Sequence, residues 1–435
     1  MLKMERNRSG RTLILILVGA ILVRLLMALF MGDQVTILPG IHDQVSYDAL
    51  AQSLLAGRGF SFTENWYPFT QANTPTAHWS FAYSLYLAGV YALTGYHPLA
   101  ARIVQGIVGG ALICFLVYLI GRRVAGEKTG LIAAGLAAFY GYFVYYNAAL
   151  MTETFFIVLV LFSLYLSLEL VEKPTVMKWI LLGLALGIAA LLRQTILLFA
   201  PFLFLWLFFE GRKKGVRWWH FTLPIVVMGL LIAPWTMRNY VVYDEFLPLN
   251  SNAGYAFYAS NNPGLGTNWR DELVVIPVPD ELEGQNEAVL NQALTQKGFE
   301  FILADPQRYL LLTLDKTLEY FKFWPSSASS RSSNLGRVLS FGLYLPFMLL
   351  GLGLSISRWR SFLLLYLFII IHTGIHLLSW PALRYRLPVD AVLMVFAGLA
   401  IYEIARQMKT WSPGHSLFSR LSKSEGREKQ AGIKN

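Results

Sequence analysis

The chain has 435 residues, of which 55% are hydrophobic and only 14% are charged. Soluble domains carry roughly 25% charged residues, so this composition excludes an array of soluble domains. Its long apolar runs indicate an all-α polytopic membrane protein. The net charge of +10 would suggest nucleic acid in a soluble chain. In a membrane protein it first reflects basic cytoplasmic loops, so we expect no nucleic-acid partner.

Apolar runs predict about ten transmembrane helices. They lie near 12–31, 103–120, 131–150, 154–171, 179–192, 195–209, 221–237, 338–355, 361–379 and 388–405. The polar residues Arg193 and Gln194 interrupt the stretch 179–209, which predicts a short hairpin with Arg193 at its tip. The single cysteine, Cys114, lies in the second span and excludes an intrachain disulfide.

The basic residues predict the orientation. With both termini cytoplasmic, 22 of the 36 Lys and Arg residues fall in cytoplasmic segments. The apolar segment 80–95 is too short for a comfortable span, and crossing there would reverse every later loop. We therefore expect it to be a juxtamembrane helix on the outer surface. The chain is expected to be a multi-pass protein of the plasma (inner) membrane with its active site outside.

This topology predicts four parts. Residues 1–238 form an N-terminal transmembrane catalytic module that includes the first outer loop, 32–102. Residues 239–334 form a small extracytoplasmic subdomain with 12 acidic and 6 basic residues. Residues 335–406 form the C-terminal transmembrane helices, and residues 407–435 form a basic cytoplasmic tail with no catalytic role.

Two carboxylates are placed against the same outer face. Asp43 precedes an amphipathic helix that the pattern starts at Ser46, and Glu153 begins the fourth span. A carboxylate at that depth is costly unless it faces a polar cavity. If Asp43 and Glu153 converge, one can act as a base, and both can hold a divalent cation. A capping role for Asp43 and an interfacial role for Glu153 are the simpler alternatives.

Arginines supply positive charges that complement these two carboxylates. Six lie in the outer halves of spans or just beyond them: Arg24, Arg102, Arg193, Arg238, Arg384 and Arg386. An arginine pointing inward at this depth usually has a partner or an anionic ligand, and guanidinium groups bind phosphate in a bidentate way. Snorkelling to lipid headgroups is the alternative for each one alone.

The order of several short segments resembles the GT-C class of integral-membrane glycosyltransferases that use polyprenyl-phosphate sugars. The resemblance is to the branch with aminoarabinose transferases and protein O-mannosyltransferases. It is carried by SYDALAQSLLAGRGFS after the first-loop acid, PTAHWSFAYSLYLAGVYALTG, AARIVQ, MTETFF, LLRQTILLFAP, PWTMRNYVVYDEFLPLN and RYRLP. It extends from the first span to the last, and it implies a GT-C-like fold with juxtamembrane helices in the first loop.

The resemblance also implies roles for the two acids. Asp43 would be the general base, and Glu153 would take part in catalysis through acceptor or metal binding. Many relatives carry a basic residue just before the first-loop proline, where this chain has Thr74. Phosphate or substrate binding is therefore assigned to other residues: Arg193, Arg238, Arg384, Arg386, Arg102, His78 and Tyr47.

The function that follows is inverting transfer of a sugar from a polyprenyl-phosphate donor to an acceptor hydroxyl outside the membrane. The acceptor would be an envelope lipid, glycan or protein, and membrane lipids would surround the enzyme. Asn239, Tyr240 and Asn252 are candidates for sugar contacts. Two alternatives stay open: a transporter or flippase of lipid-linked glycans, and an envelope glycan polymerase or ligase that uses a diphosphate donor.

Overall fold

The computed structural model describes residues 2–66, 70–269, 276–327 and 329–410. Within those ranges the chain is helical, with only isolated β-bridges outside the helices. The expected all-α class is confirmed. Residues 411–435, most of the predicted basic tail, lie outside the described residues.

Seventeen α-helices follow one another along the described chain. The first ten are α1 (Leu2–Met31), α2 (Gln44–Leu55), α3 (Phe81–Thr94), α4 (Pro98–Ala125), α5 (Glu127–Phe139), α6 (Gly141–Ala148), α7 (Glu153–Glu172), α8 (Val176–Leu192), α9 (Ile196–Gly211) and α10 (Thr222–Tyr243). The others are α11 (Asn252–Asn261), α12 (Glu287–Ala304), α13 (Pro306–Tyr320), α14 (Arg331–Arg337), α15 (Leu343–Ser355), α16 (Trp359–Leu378) and α17 (Leu387–Thr410).

Six helical segments of the described chain are long and apolar enough to cross a membrane, or up to seven if a bent pair counts as one span. The bent pair is α5 and α6, which meet at 53°. The segment Arg331–Leu378 contains 48 residues, about 70 Å of helix if straight and more than twice the apolar thickness of a bilayer. It turns at the 3₁₀ segment Ile356–Arg358, where Ser355 hydrogen-bonds Tyr366. The number of ten spans stays a prediction.

Small residues let the central helices approach one another closely. A Cβ on Gly121 of α4 would meet Cα of Gly130 in α5 at 2.9 Å, and one on Gly110 would meet Cα of Ile21 in α1 at 2.9 Å. Without water to drive helix association inside a bilayer, such close backbone packing holds membrane helices together. This packing fixes the position of α4 against α1 and α5, and it thereby positions the loops at the ends of these helices.

The first loop, 32–102, contains the two short helices α2 and α3. Helix α2 begins at Gln44, and its N-cap residue is Asp43, three residues before the predicted N-cap Ser46. The ring of Tyr47 packs edge-on against Tyr83 of α3, with the ring centroids 5.0 Å apart. A helix is thus present where a juxtamembrane helix was expected, and its position at the membrane surface stays a prediction.

The carboxylate of Glu287 joins the first loop, 32–102, to the segment 239–334. It accepts hydrogen bonds from the Thr70 hydroxyl (2.6 Å), the backbone N–H of Ala77 (2.8 Å) and the Ser251 hydroxyl (2.7 Å). A buried carboxylate needs this number of donors to offset its desolvation. Glu287 therefore holds the segment that leads into α3 against the start of α11.

The segment 239–334 has a small apolar cluster of its own, built around Tyr258, Leu290 and Leu294. Beside it, Lys316 of α13 is completely buried and donates to Asn261 Oδ1 (2.9 Å) and to the carbonyl oxygen of Ser379 (3.0 Å). The lysine thus connects α13 to the residue that follows α16. The division of the chain at residues 239 and 334 stays a prediction.

Burial lowers the pKa of Lys316 to about 7, while an unfolded lysine titrates near 10.4. Between these values the unfolded chain binds one more proton than the folded chain at this site, so stability rises with pH. We expect the contribution to be about 1.4 kcal/mol per pH unit between pH 7 and pH 9.5. Thermal unfolding of the detergent-solubilised protein across this range measures the slope.

Lys316→Met should remove that part of the slope, whatever its effect on the absolute melting temperature. Lys297→Met is the matched control, because Lys297 is an outer-loop lysine whose pKa is raised by Glu281 and which stays charged throughout the range. An unchanged slope in Lys316→Met would show that another group titrates.

Candidate active site

Asp43 stands at the entrance of α2 without capping it. Its backbone has φ −66° and ψ −16°, and its side chain makes no capping hydrogen bond. Instead, Oδ2 lies 2.7 Å from Nη2 of Arg384, in the 3₁₀ turn before α17. The Asp43 side chain is 20% exposed, so solvent or a ligand can reach it. Arg384, from the C-terminal part of the chain, therefore orients the side chain of Asp43.

Glu153 is the first residue of α7, and its side chain is only 2% exposed. Its Oε1 contacts Nη2 of Arg193 and lies 3.8 Å from Nε of Arg384. Arg193 also donates from Nε to Thr152 Oγ1 at 2.9 Å. The second oxygen of Glu153, Oε2, is buried and has no hydrogen-bond partner among the described residues. Glu153 is thus held by two arginines and has one acceptor oxygen left.

The four residues Asp43, Glu153, Arg193 and Arg384 form what we call the acid–arginine cluster. Arg193 lies in the break between α8 and α9, where the sequence predicts the tip of a hairpin. The two carboxylates and two guanidinium groups balance in formal charge. Because such a site is partly removed from water, its charges interact far more strongly than they would on an exposed surface.

The ring of Tyr385 contacts both arginines of the cluster. The Cζ atoms of Arg193 and Arg384 lie 4.6 Å and 5.2 Å from its ring centroid, respectively. The negative face of an aromatic ring attracts cations, which lets two like charges share a small volume. His372 fixes the backbone of this tyrosine through a contact of 3.2 Å between Nε2 and the Tyr385 carbonyl oxygen.

Two residues of the site, Tyr385 and His42, were not predicted from the sequence. Tyr385 stands between Arg384 and Arg386 in the segment RYRLP, so the alternation of arginine and aromatic residue was an available signal. His42 precedes Asp43. Burial, the largest effect, lowers the pKa of His42, Asp43 opposes this, and Arg384 adds to it. His42 is therefore part of the electrostatic surroundings of the acid.

Three of the six arginines are used for structure. Arg24 donates to the carbonyl oxygens of Ala20, Ala137 and Ala138. Arg102 is fully buried and donates to the carbonyl oxygens of Gly32, Gln34 and Ala148. Arg386 is fully buried against Asp390 at 3.0 Å and donates to the Tyr320 carbonyl oxygen. The structure does not bring Arg102 or Arg386 into the cluster, because backbone carbonyls and Asp390 hold their guanidinium groups.

Arg238, near the end of α10, occupies a separate place. Its guanidinium lies 4.8 Å from the Trp235 ring centroid and donates to Asn239 Oδ1 at 3.0 Å. Asn239 is itself fully buried and donates to the carbonyl oxygens of Leu247 and Leu249. Its amide is thus occupied by the protein, which argues against the sugar contact considered for it.

Tyr47 and His78 are both buried. Burial raises the pKa of Tyr47, so its hydroxyl stays protonated at neutral pH. Burial lowers the pKa of His78 to about 3, so its ring stays neutral. His78 lines a small cavity together with Ser251 and Glu287. A neutral imidazole cannot neutralise a phosphate, so these two residues are better suited to hydrogen bonding than to charge pairing.

Asp43 and Glu153, the two predicted cation ligands, are both paired with arginine. Asp43 and Glu153 both face Arg384, whose positive charge stands where a cation would bind. Among the described residues no group of three or more His, Cys, Asp or Glu side chains is placed to hold a metal. The unpartnered Oε2 of Glu153 is one carboxylate oxygen, and a hard cation would complete its shell with water, so cation binding by Asp43 and Glu153 stays a prediction. The arginines therefore supply the positive charge of this site.

A cavity of about 1150 Å³ opens beside the cluster, large enough for a substrate by the usual size of ligand pockets. Its wall includes Gly40 and Leu383, close in sequence to Asp43 and Arg384, and Tyr146. Gly40 has a φ of 71°, and a Cβ there would meet the Tyr146 hydroxyl at 2.5 Å. Glycine is thus required at this turn of the wall.

The sequence of the central part of the chain is similar to a family of membrane glycosyltransferases. Residues 78–237 match the family model of dolichyl-phosphate-mannose-protein mannosyltransferases. This segment contains Glu153 and Arg193 of the cluster but neither Asp43 nor Arg384. A search of curated protein sequences finds no match to the chain.

Solved structures share the fold at low sequence identity. The oligosaccharyltransferase AglB of Archaeoglobus fulgidus, in complex with an inhibitory peptide and a dolichol-phosphate, matches with a TM-score of 0.60 and 16% identity. That match covers 97% of this chain but 52% of the archaeal chain. A structure of the same archaeal enzyme with Zn and sulfate has a TM-score of 0.56 at 16% identity, over 90% of this chain and 49% of that one.

The bacterial protein ArnT from Cupriavidus metallidurans, in the apo state, gives a TM-score of 0.55 at 14% identity. Here the match covers 89% of this chain and 59% of that one. Identities this low establish the fold alone, while the family model adds sequence similarity across the central spans. The resemblance is confirmed: the chain has a GT-C glycosyltransferase fold and is similar to that class in sequence over residues 78–237.

Proposed function

We propose that the chain is an inverting glycosyltransferase that moves a hexosyl or pentosyl group from a polyprenyl-phosphate donor to an acceptor hydroxyl on the outer face of the membrane. The observation that carries the proposal is the convergence of Asp43 and Glu153 on Arg384, at 2.7 Å and 3.8 Å. Arg193 completes the site from a third part of the chain. A proton acceptor thus lies beside two cations suited to phosphate.

In the proposed reaction, Asp43 takes the proton of the acceptor hydroxyl as its oxygen attacks the anomeric carbon. The bond between that carbon and the phosphate oxygen breaks, and polyprenyl phosphate leaves with the electron pair. A single displacement of this kind inverts the anomeric configuration. The leaving phosphate is already ionised, so no general acid is required. Arg193 and Arg384 would stabilise the charge that grows on the phosphate.

Donor binding would also prepare the base. Without a donor, Arg384 is paired with Asp43 at 2.7 Å, which neutralises the carboxylate. A phosphate placed between Arg384 and Arg193 would compete for both guanidinium groups, because arginine binds phosphate in a bidentate way. The Asp43 carboxylate would then be released toward the acceptor. Glu153 would hold the two arginines in position through Oε1.

Phosphate recognition in this proposal falls on Arg193 and Arg384, because Arg238 is engaged by Trp235 and Asn239 away from the acid–arginine cluster. The archaeal relative was solved with a dolichol-phosphate, which supports a lipid-linked donor here. That enzyme was also solved with Zn and sulfate. We assign no reaction step to a cation, because Arg193 and Arg384 already place positive charge beside both carboxylates.

The proposed orientation puts the cluster outside the cytoplasm, in a plasma (inner) membrane with both termini inside. At the opposite ends of the helices, Arg123 pairs with Glu172 at 2.5 Å, and Lys178 pairs with Glu169 at 3.3 Å. These basic residues, with the segment Arg212–Lys214, mark the positive end of the bundle. The acceptor would be a component of the cell envelope.

The decisive experiment incubates the purified, detergent-solubilised chain with radiolabelled polyprenyl-phosphate hexoses and pentoses and an envelope extract. We expect release of polyprenyl phosphate together with transfer of label to one extract fraction. A flippase would release no polyprenyl phosphate. A polymerase or ligase would instead consume only polyprenyl-diphosphate glycans, supplied in a parallel reaction. Either outcome would contradict the proposal.

A further inference from the structure

The large cavity has chemistry that the phosphate-binding arginines do not explain. Its volume is about 1150 Å³, above the usual range for a drug-sized ligand. It borders the loop 34–40 that leads into Asp43, and it reaches Leu383 next to Arg384. A molecule in this cavity would therefore approach the cluster from the side of Asp43.

One wall of the cavity is apolar and continuous with the lipid-facing surface. Met27, Phe30 and Met31 line it from the last two turns of α1. These residues belong to the candidate membrane span Arg8–Met31, and Phe30 is 84% exposed. Because an exposed apolar face at the end of a span is in contact with lipid, a hydrocarbon chain can enter the cavity sideways from the bilayer.

A second group of lining residues is rich in hydroxyl groups. Its serines come from one segment, the residues Ser326, Ser329, Ser330, Ser332 and Ser333. Arg337 closes this wall, only 8% exposed, and donates to the Trp324 carbonyl oxygen and Ser329 Oγ at 3.2 Å each. Its Nε is buried and has no hydrogen-bond partner among the described residues. Glu319 and Lys322 neutralise each other at 2.7 Å, so Arg337 gives the wall a positive charge.

We propose that this cavity is the acceptor site, and that the acceptor is a membrane lipid whose headgroup carries both an anionic group and free hydroxyls. The assignment to the acceptor rests on the proposed function, because the base must meet the hydroxyl that it deprotonates. The apolar wall takes the lipid chain, and the serines and Arg337 take the headgroup. One headgroup hydroxyl then reaches Asp43.

The test is photolabelling of the full chain in detergent with phosphatidylglycerol that carries a diazirine on its acyl chain. This probe has one negative phosphate and two free hydroxyls. We expect labelled peptides from the end of α1 and from α6, and much weaker labelling with the matched phosphatidylcholine, which lacks the free hydroxyls and the net charge. Preferential binding requires the chemistry of the serine and arginine wall.

Gly336→Phe should weaken phosphatidylglycerol labelling about tenfold by filling the cavity. Gly336 lines the cavity and has no atom within 4 Å of an added Cβ, so the change does not strain the helix. Gly353→Phe is the matched control, a helical glycine with equal space that does not line the cavity. Ser332→Phe provides a second block at a different position of the same wall.

Equal labelling of wild type and both blocking variants, or equal labelling by the two lipids, would overturn the lipid acceptor. Asp43→Asn distinguishes this outcome from failure of the proposed function, because it should keep the phosphatidylglycerol label while losing transfer. A chain that is labelled but never releases polyprenyl phosphate would retain the lipid site and contradict the transferase. Release of polyprenyl phosphate without selective labelling by phosphatidylglycerol would support the transferase and contradict the lipid site.

Discussion

Asp43→Asn is expected to lower the rate of sugar transfer by a factor of about 10² to 10⁴, the usual contribution of a positioned general base. Asparagine keeps the size of the side chain and an oxygen near Arg384, but it cannot accept the acceptor's proton. The Asp43 side chain makes no capping bond and is 20% exposed, so loss of its ion pair with Arg384 should destabilise the fold less than Glu153→Gln does. Release of polyprenyl phosphate from a radiolabelled donor measures the rate.

Asp33→Asn is the control for a loop acid on the same side. Asp33 accepts a hydrogen bond from the backbone N–H of Leu99 at 2.8 Å, a role that asparagine can keep. This variant should therefore retain wild-type transfer. Equal rates in Asp43→Asn and wild type, at equal expression and melting temperature, would remove Asp43 as the base.

Glu153→Gln is expected to destabilise the protein by about 3 to 5 kcal/mol, as loss of one partner of a buried ion pair does. Only 2% of the Glu153 side chain is exposed, and it faces both Arg193 and Arg384. Without its charge, two guanidinium groups remain close together beside a single carboxylate. Unfolding in mixed micelles with increasing dodecyl sulfate measures the loss. Transfer should also fall, since the arginines lose the residue that positions them.

A second variant separates charge balance from a general packing defect. Glu153→Gln combined with Arg193→Met removes one charge of each sign. The double variant should therefore lose at least about 1 kcal/mol less free energy of unfolding than the two single variants lose together. Glu281→Gln, which removes a partner of the exposed Lys297 pair, should leave the unfolding curve unchanged because water screens that pair. Strict additivity of Glu153→Gln and Arg193→Met would contradict the cluster.

The two proposals place different demands on the same site. The donor must bring a phosphate to Arg193 and Arg384, and the acceptor must bring a hydroxyl to Asp43. The large cavity borders the loop before Asp43, while Arg193 contacts Glu153 and does not line that cavity. Two substrates could then approach from different directions, as an in-line displacement requires.

The sequence alone determined the membrane class, because a long run of apolar residues is a local property that requires no knowledge of tertiary contacts. It also identified the break at Arg193, since two polar residues within an apolar stretch of 31 residues favour a turn between two helices. Asp43, Glu153, Arg193 and Arg384 were all candidates on residue type and position. The structure confirms the fold class, while the roles of these residues stay predictions.

Only the tertiary structure decided which arginines share a site. Arg384 and Arg386 are two residues apart and have the same chemistry, yet Arg384 faces Asp43 and Arg386 is buried against Asp390 and the Tyr320 carbonyl oxygen. The sequence could not show which of Arg384 and Arg386 belongs to the site, because the packing of distant helices sets the partners of a guanidinium group. The cavity beside Asp43 was unpredictable for the same reason: its walls come from α1, α6 and the segment before α15.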